Sequence, residues 1–275
     1  MKQYGRQIKL YLGNASQSIE CGQLRITFDI TKTITENPNP AQIRIFNLNE
    51  SNRNAIRSKH FDKVELHVGY AELRVIYSGD IVKSRIVREN QDIVTELECG
   101  DGANDITYAS VNRTVAAGAS DTAIVNETLK SMGRVSGGIT EIPNQRVLPR
   151  AKVLSGNSRD YLSGVARNNN ADWSVQDGSI LMLPKDSALA VGDGFVLSKD
   201  TGMIGAPEET ESGLKVTCLL NPDLRIGSLI RIESIFKHFN GDYKITELSH
   251  TGDYLSDQWY SNIVCVGGEF QKVNK

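Results

Sequence analysis

The stretch Ala41-Gln42-Ile43-Arg44-Ile45-Phe46-Asn47-Leu48-Asn49 alternates apolar and polar side chains and then stops at asparagine, as a half-buried strand running into a turn does. A second alternating run follows, Val64-Glu65-Leu66-His67-Val68, then Gly79-Asp80, then a strand-like run ending Cys99-Gly100. The same order returns late in the chain. Leu214-Lys215-Val216-Thr217-Cys218-Leu219-Leu220-Asn221 leads to Leu229-Ile230-Arg231-Ile232-Glu233, then Gly241-Asp242, then a run ending Cys265-Val266-Gly267. Strand, asparagine-marked turn, strand, Gly-Asp turn and cysteine-terminated strand thus recur with few identical residues, which predicts two similar β modules in one chain. The competing reading is that small antiparallel domains generally share alternating strands and Gly-Asp turns. If the echo is a duplication, three chains would close a ring of six modules.

A chain of 275 residues is long enough for one large domain or two to three small ones, each with its own core. Hydrophobic residues make up 39% and charged residues 23%, the range of globular proteins rather than of disordered or fibrous ones. Lys plus Arg number 31 against 33 Asp plus Glu, so no net field draws in a polyanion and a tight nucleic-acid grip is not expected. Cys21, Cys99, Cys218 and Cys265 stand far apart without a CxxC pair, which argues against a zinc ribbon or a dithiol redox site and for buried, reduced thiols in a reducing cytoplasm. The N-terminal residues carry no apolar signal segment, and no stretch reaches the ~20 apolar residues of a membrane span. Neither secretion by signal peptide nor membrane insertion is expected.

The pattern predicts a mainly β chain with a small α/β insert: a first β-barrel domain over 1–107, an α/β domain over 108–184 and a second β-barrel domain over 185–275. Leu24, Ile26, Phe28 and Ile30 alternate with Arg25, Thr27 and Asp29 as one face of a strand, and Asn37-Pro38-Asn39-Pro40 reads as a connection. Asn49 caps a short helix through Ile56. In the insert, Ser120 or Asp121 caps a helix with Val125, Leu129 and Met132 on one face and Gly133 at its end. Ser136 to Gly138 and Pro143 to Pro149 read as loop, with a short strand over 139–142. Ser158 is placed as the N-cap of a second helix lined by Tyr161, Leu162, Val165 and Ala166 and halted at Asn168-Asn169-Asn170. Asp177-Gly178 predicts a two-residue hairpin, in which Gln176 opposes Ser179, Val175 opposes Ile180 and Trp173 opposes Met182. The Gly192-Asp193-Gly194 and Gly202 to Pro207 regions read as connection.

Catalytic constellations are missing. His60, His67, His238 and His250 show neither HxxxH nor HExxH spacing. Gly156-Asn157-Ser158-Arg159-Asp160 ends in aspartate where a nucleophile elbow needs glycine. Asp101-Gly102-Ala103-Asn104-Asp105 lacks the spacing and terminal glutamate of a calcium loop and reads as a turn. Gly192 and Gly194 have no third glycine, so no dinucleotide cradle is implied. Paired carboxylates such as Glu208, Glu209 and Glu211 could serve a glycosidase, but three acids in four positions on a polar connection read as a solvated face. Trp259 and Tyr260 are placed as core or interface anchors rather than base platforms. No catalytic, cofactor-binding or metal-ligating residue is assigned, and the chain is not expected to be an enzyme.

Ile43-Arg44-Ile45-Phe46-Asn47-Leu48, the stretch from Val153 to Leu162 on to Trp173-Ser174-Val175-Gln176-Asp177-Gly178, and Ile204-Gly205-Ala206-Pro207-Glu208 running on to Leu219-Leu220-Asn221-Pro222 together resemble tail proteins of contractile bacteriophages. The order of elements is similar to the baseplate hub, or late control, family, with relatives in the platform part of type VI secretion spikes. The resemblance covers most of the chain. It implies a homotrimer of two tube-type β-barrel domains per subunit, a pseudo-sixfold ring between the tail tube or tube-initiator protein and the central spike, flanked by baseplate wedge proteins. DNA would pass through the channel only in transit. The expected location is the virion tail baseplate, assembled in the host cytoplasm. The chain is shorter than the larger hubs, which leaves open how a lysin or wedge protein attaches. Two alternatives stand beside this reading: a tail-associated cell-wall hydrolase using Glu208 to Glu211, and a receptor-binding module exposing Trp173, Trp259 and Tyr260 together.

Overall fold

Strands dominate because the apolar spacing is two nearly everywhere outside the insert. The structure, a computed structural model, describes residues 5–190, 195–211 and 213–274. The first part comprises β1 (Gln7–Gly13), β2 (Ser18–Glu20), β3 (Ile26–Thr33), β4 (Pro40–Phe46), α1 (Glu50–Arg57), β5 (Lys63–Gly69), β6 (Leu73–Glu89) and β7 (Asp92–Gly100). The middle part holds α2 (Ala103–Tyr108), β8 (Ser110–Val115), α3 (Asp121–Leu129), β9 (Ser136–Thr140), β10 (Lys152–Asn157), α4 (Ser158–Asn168), β11 (Ala171–Gln176) and β12 (Ser179–Pro184). The last part adds β13 (Ser187–Ala190), β14 (Phe195–Leu197), β15 (Met203–Thr210), β16 (Gly213–Leu219), β17 (Leu229–Ile232), β18 (Gly241–Asp253), β19 (Trp259–Gly267) and β20 (Gln271–Asn274). The chain is mainly β, as its sequence predicts.

The two β-rich parts share one neighbour order. In the first, strands lie β3-β4-β7-β6-β5-β1; in the last, β15-β16-β19-β18-β17-β14. Cys99 is flanked by Ala41 on one side and Ile81 on the other, and Cys265 by Leu214 and Ile245. A register shift follows immediately after Ile81 and again immediately after Ile245, so a bulge occupies the same place in both halves. One connection differs: β1 runs antiparallel to β5, whereas β14 runs parallel to β17. The halves are joined edge to edge by β3 and β18, with Glu247 to Asp253 paired to Thr33 to Thr27, so both belong to a single 13-stranded sheet.

Three apolar clusters fill the interior. The first gathers residues from Ile8 to Cys99 and also takes in Leu220 and Trp259 from the far end of the chain. The second packs α3 and α4 against β11 and β12 through Ile124, Val125, Leu162, Val165, Trp173, Val175 and Met182. The third is built from Leu181 to Cys265. The hairpin has the predicted register, with Gln176 opposite Ser179, Val175 opposite Ile180 and Trp173 opposite Met182. Its turn residues have φ of +53° and +77°, the paired left-handed values that favour Asp-Gly.

Several local expectations are corrected. Gly79 and Asp80 do not turn the chain: they lie inside the 17-residue β6. A Cβ at Gly79 would sit 2.8 Å from the Tyr77 hydroxyl, so glycine is there for close approach. Gly241-Asp242 opens β18 rather than forming a hairpin loop. Residues 101–105 are a turn only in part, because α2 starts at Ala103. Ser136 to Gly138, read as loop, belong to β9, which runs parallel to β12; a Cβ at Gly138 would lie 2.2 Å from the Ile180 carbonyl oxygen. α3 is capped by Ser120 but ends at Leu129, before Gly133. The cap of α4 is Asn157, whose side chain accepts from the Arg159 N–H at 2.9 Å; Ser158 is already helical, 2.6 Å from the Ser131 hydroxyl. Residues 203–207 are not connection, since β15 begins at Met203. Gly192-Asp193-Gly194 lie outside the described residues.

Candidate functional site

The joint between the halves is where polar chemistry concentrates. β3 and β18 bring together Lys32 and His250, both almost fully buried, and the tip of the β11–β12 hairpin rises beneath them. Lys32 Nζ donates to both carboxylate oxygens of Asp177 at 2.6 Å. Asp101, fully buried, accepts from the Gly178 N–H at 2.9 Å and from the Asp177 N–H. Asn39 donates to the Val175 carbonyl and Gln176 to the Thr33 carbonyl, each at 2.8 Å. Arg134 spans Asp80 at 2.7 Å and Asp62 at 2.5 Å, tying the insert to the first half. The insert is therefore latched to the first half by charge-assisted hydrogen bonds rather than by apolar contact alone.

Burial sets the titration of two of these groups. It drives the His250 imidazole down to about 3, with Lys32 adding a like-charge penalty, so the ring is neutral at physiological pH; its Nδ1 lies 2.8 Å from the Ser261 hydroxyl. Burial lifts Asp101 to about 7, reinforced by the Asp177 charge, although the Asp177 and Gly178 N–H groups favour its ionised form. A cleft of about 510 Å³ opens beside the joint, lined among others by Lys32, Arg74, Asp177, Arg225 and His250. Ser261, the hydroxyl held against the His250 ring, is fully buried, accepts from the Asn221 N–H at 3.1 Å and does not line the cleft, so it is not presented as a nucleophile.

The residues singled out in the sequence fall as follows. His60 is exposed beside Phe61, His67 contacts Glu65 and Tyr11, and His238 stacks near Phe236 and Phe239; they are far apart in the fold's elements and share no site. Asp101 and Asp105 spend their carboxylates on backbone N–H groups, Asp105 on those of Arg134 and Val135 at 2.6 and 2.7 Å. Among the described residues no group of three His, Cys, Asp or Glu is placed to hold a metal. All four cysteines are free and buried, and burial pushes Cys21 up to about 11 and Cys218 and Cys265 up to about 12. Trp173 and Trp259 are buried, Trp259 edge-on to Phe28 at 5.4 Å, which removes the exposed aromatic trio that a receptor-binding module would need. No described helix is long and apolar enough to cross a membrane.

What the sequence reading missed are two open strand edges. β6 pairs with β5 only as far as Asp80, and from Val82 to Glu89 it has β7 on one side and, among the described residues, no strand on the other. β15 likewise pairs with β16 alone. Glu208 and Glu209 lie exposed on that strand, not on a connection. Both edges show apolar side chains to solvent, Val82 and Ile86 on β6 and Ile204 on β15.

Comparison with solved structures returns phage tail and secretion proteins. A 43 kDa tail protein of prophage MuSo2 from Shewanella oneidensis superimposes with a TM-score of 0.64 at 10% identity, over 95% of this chain and 98% of that one. A tail protein from Neisseria meningitidis gives 0.64 at 9% identity, over 95% and 96%. An E. coli component of the type VI secretion system, described as structurally similar to the T4 tail proteins gp27 and gp5, gives 0.61 at 12% identity, over 95% and 78%. At these identities the likeness is one of fold. No curated protein sequence matches the chain. The sequence profile of the family described as baseplate hub gp41 matches residues 7–265, nearly the whole length. With that match lying over a mainly β chain whose neighbours in fold are tail proteins, the chain belongs to the baseplate hub gp41 family of phage tail structural proteins.

Proposed function

We propose that three copies of this chain close a pseudo-sixfold ring that forms the hub of a contractile phage baseplate, joining the tail tube to the central spike around the DNA channel. The observation that carries this reading is the strand order β3-β4-β7-β6-β5-β1 repeated as β15-β16-β19-β18-β17-β14, with the same bulge beside Cys99 and Cys265. Two alike units in one polypeptide let a threefold oligomer offer six alike faces to a sixfold tube while keeping three for a spike. On this reading residues 1–107 and 185–275 are two tube-type β-barrel domains and 108–184 a peripheral α/β domain. The tube or its initiator, the spike and the baseplate wedges are the partners, DNA is met only in transit, and particles form in the host cytoplasm.

The chemistry fits a scaffold that performs no catalysis. Glu208 and Glu209 face solvent on an edge strand, opposite Lys215 and Leu214, and neither lines the cleft beside the joint, so a hydrolase assigned to them has no geometric support. A net formal charge of −2 suits a wall that must release DNA. Native mass measurement of the purified full chain tests the proposal. A trimer, imaged down its axis as six lobes around a hole, is expected; a chain that stays monomeric at its highest soluble concentration and in assembled tails overturns it.

A further inference from the structure

The joint inside the chain supplies a template for the joint between chains. Ile245 and Ile81 occupy the same place, each facing the marker cysteine and followed by the bulge, so Glu247–Asp253 of β18 correspond to Lys83–Glu89 of β6. Ala41 and Leu214 also match across those cysteines, and they face Ile30 and Glu209, so β3 corresponds to β15 with Ile30 matching Glu209 and Asp29 matching Glu208. Within the chain β18 uses this segment to pair with β3, His250 facing Ile30 and Thr251 facing Asp29. The counterparts of both strands, the outer edges of β6 and β15, are both open among the described residues; the short strands β2 and β14 are open too, but they correspond to neither strand of the joint. An exposed ladder of this length is a template for another strand unless something covers it.

Resting on the trimeric reading above, we infer that β6 of one copy pairs antiparallel with β15 of the next, in the register that β18 and β3 use within the chain. Ile86 then faces the partner subunit's Glu209, Val87 faces the partner subunit's Glu208 and Arg85 faces the partner subunit's Thr210. Charge supports the match. The β6 edge carries Lys83, Arg85 and Arg88 beside a single acid, Glu89, with Lys83 and Arg85 also pairing with Glu98 and Glu96 of β7, while β15 and the turn after it carry Glu208, Glu209 and Glu211. Arg85 and the partner subunit's Glu208 become diagonal neighbours on one face, as cross-strand ion pairs do. The pairing also covers Ile86, which is exposed in the single chain. Pro207, which has no N–H to give, falls in the irregular stretch between Ile204 and Glu208, where the β15–β16 register already shifts.

The test is a disulfide that only the stated register allows. Val87→Cys with Glu208→Cys in the full chain, oxidised, is expected to give a covalently closed trimer on a non-reducing gel, because directly opposed residues come within disulfide reach. Val87→Cys with Glu209→Cys, one residue off and on the opposite face, is the control. As an independent measurement, Arg85→Glu is expected to abolish the trimer by native mass and Arg85→Glu with Glu208→Arg to restore it. A native trimer in which Val87/Glu208 cross-links no better than the control, and which Arg85→Glu leaves intact, overturns this edge assignment while the ring survives. A wild-type chain that forms no trimer overturns the ring itself, and this inference with it.

Discussion

His250 and Asp101 sit within one latch and respond to pH in opposite senses. His250 is held at about 3 against an ordinary 6.5, so below pH 6.5 the unfolded chain takes up a proton that the folded chain refuses, and stability falls as pH drops from 6.5 towards 3. Asp101 is lifted to about 7 from 3.8, so between those values the folded chain holds a proton that the unfolded one releases, and stability falls as pH rises through that window. The two slopes oppose each other where they overlap. Replacing His250 with Asn, which keeps a hydrogen-bonding atom near the Ser261 hydroxyl, is expected to unmask the Asp101 slope. Urea midpoints should then rise on acidification from pH 7 to 4, by at most about 1.4 kcal/mol per pH unit. A midpoint that still falls on acidification would show that His250 is not the acid-sensitive group. At the same scale Trp259→Ala should cost about 3–5 kcal/mol in denaturant unfolding, since the indole is fully buried against Phe28 and belongs to the N-terminal core although it lies near the C-terminus. Residue roles set by local spacing, such as Asn49 and Ser120 as caps, were legible in the sequence. Those set by a distant contact were not: nothing near His250 in the chain announces Lys32, and nothing near Ser158 announces that its hydroxyl meets that of Ser131 while Asn157 caps the helix.

Among the elements, the β11–β12 hairpin was fully readable because an Asp-Gly turn with two left-handed residues fixes the register from Trp173 to Met182. β6 was not. Its Gly79-Asp80 looks like a turn, yet glycine serves there to let the Tyr77 hydroxyl and the Gly100 carbonyl approach, and Asp80 turns inward to Arg134. Short-range chemistry cannot separate a glycine that bends a strand from one that admits a neighbour. The acidic run at 208–211 was misplaced for a related reason, since a strand edge without its partner has the composition of a loop. Arg134 joins elements that the sequence kept apart, and its loss should be felt across the insert and the first half together. Arg134→Ala leaves Asp80 buried and unpaired, for an expected cost of about 3–5 kcal/mol. Hydrogen exchange should show α2 and the β9 region losing protection before β3 and β4; uniform loss would mean that the clamp does not localise the coupling.

For the molecule as a whole, the repeat was legible because its markers, an asparagine after one strand and a cysteine near the end of another, survive without sequence identity. The joint was not legible, because pairing β3 with β18 brings together segments more than 200 positions apart and neither strand names its mate. β18 serves both halves without a break: Gly241 to Lys244 ladder with β17 and Glu247 to Asp253 with β3. A strand shared in this way couples the halves through continuous backbone, with the bulge at Thr246 between the two ladders. Pulling them apart along the strand axis would load all seven residue pairs of the β3–β18 ladder in shear at once, rather than peeling them open in sequence. In the proposed ring, such units would resist thrust along the pore and yield first at the seams between neighbouring polypeptides.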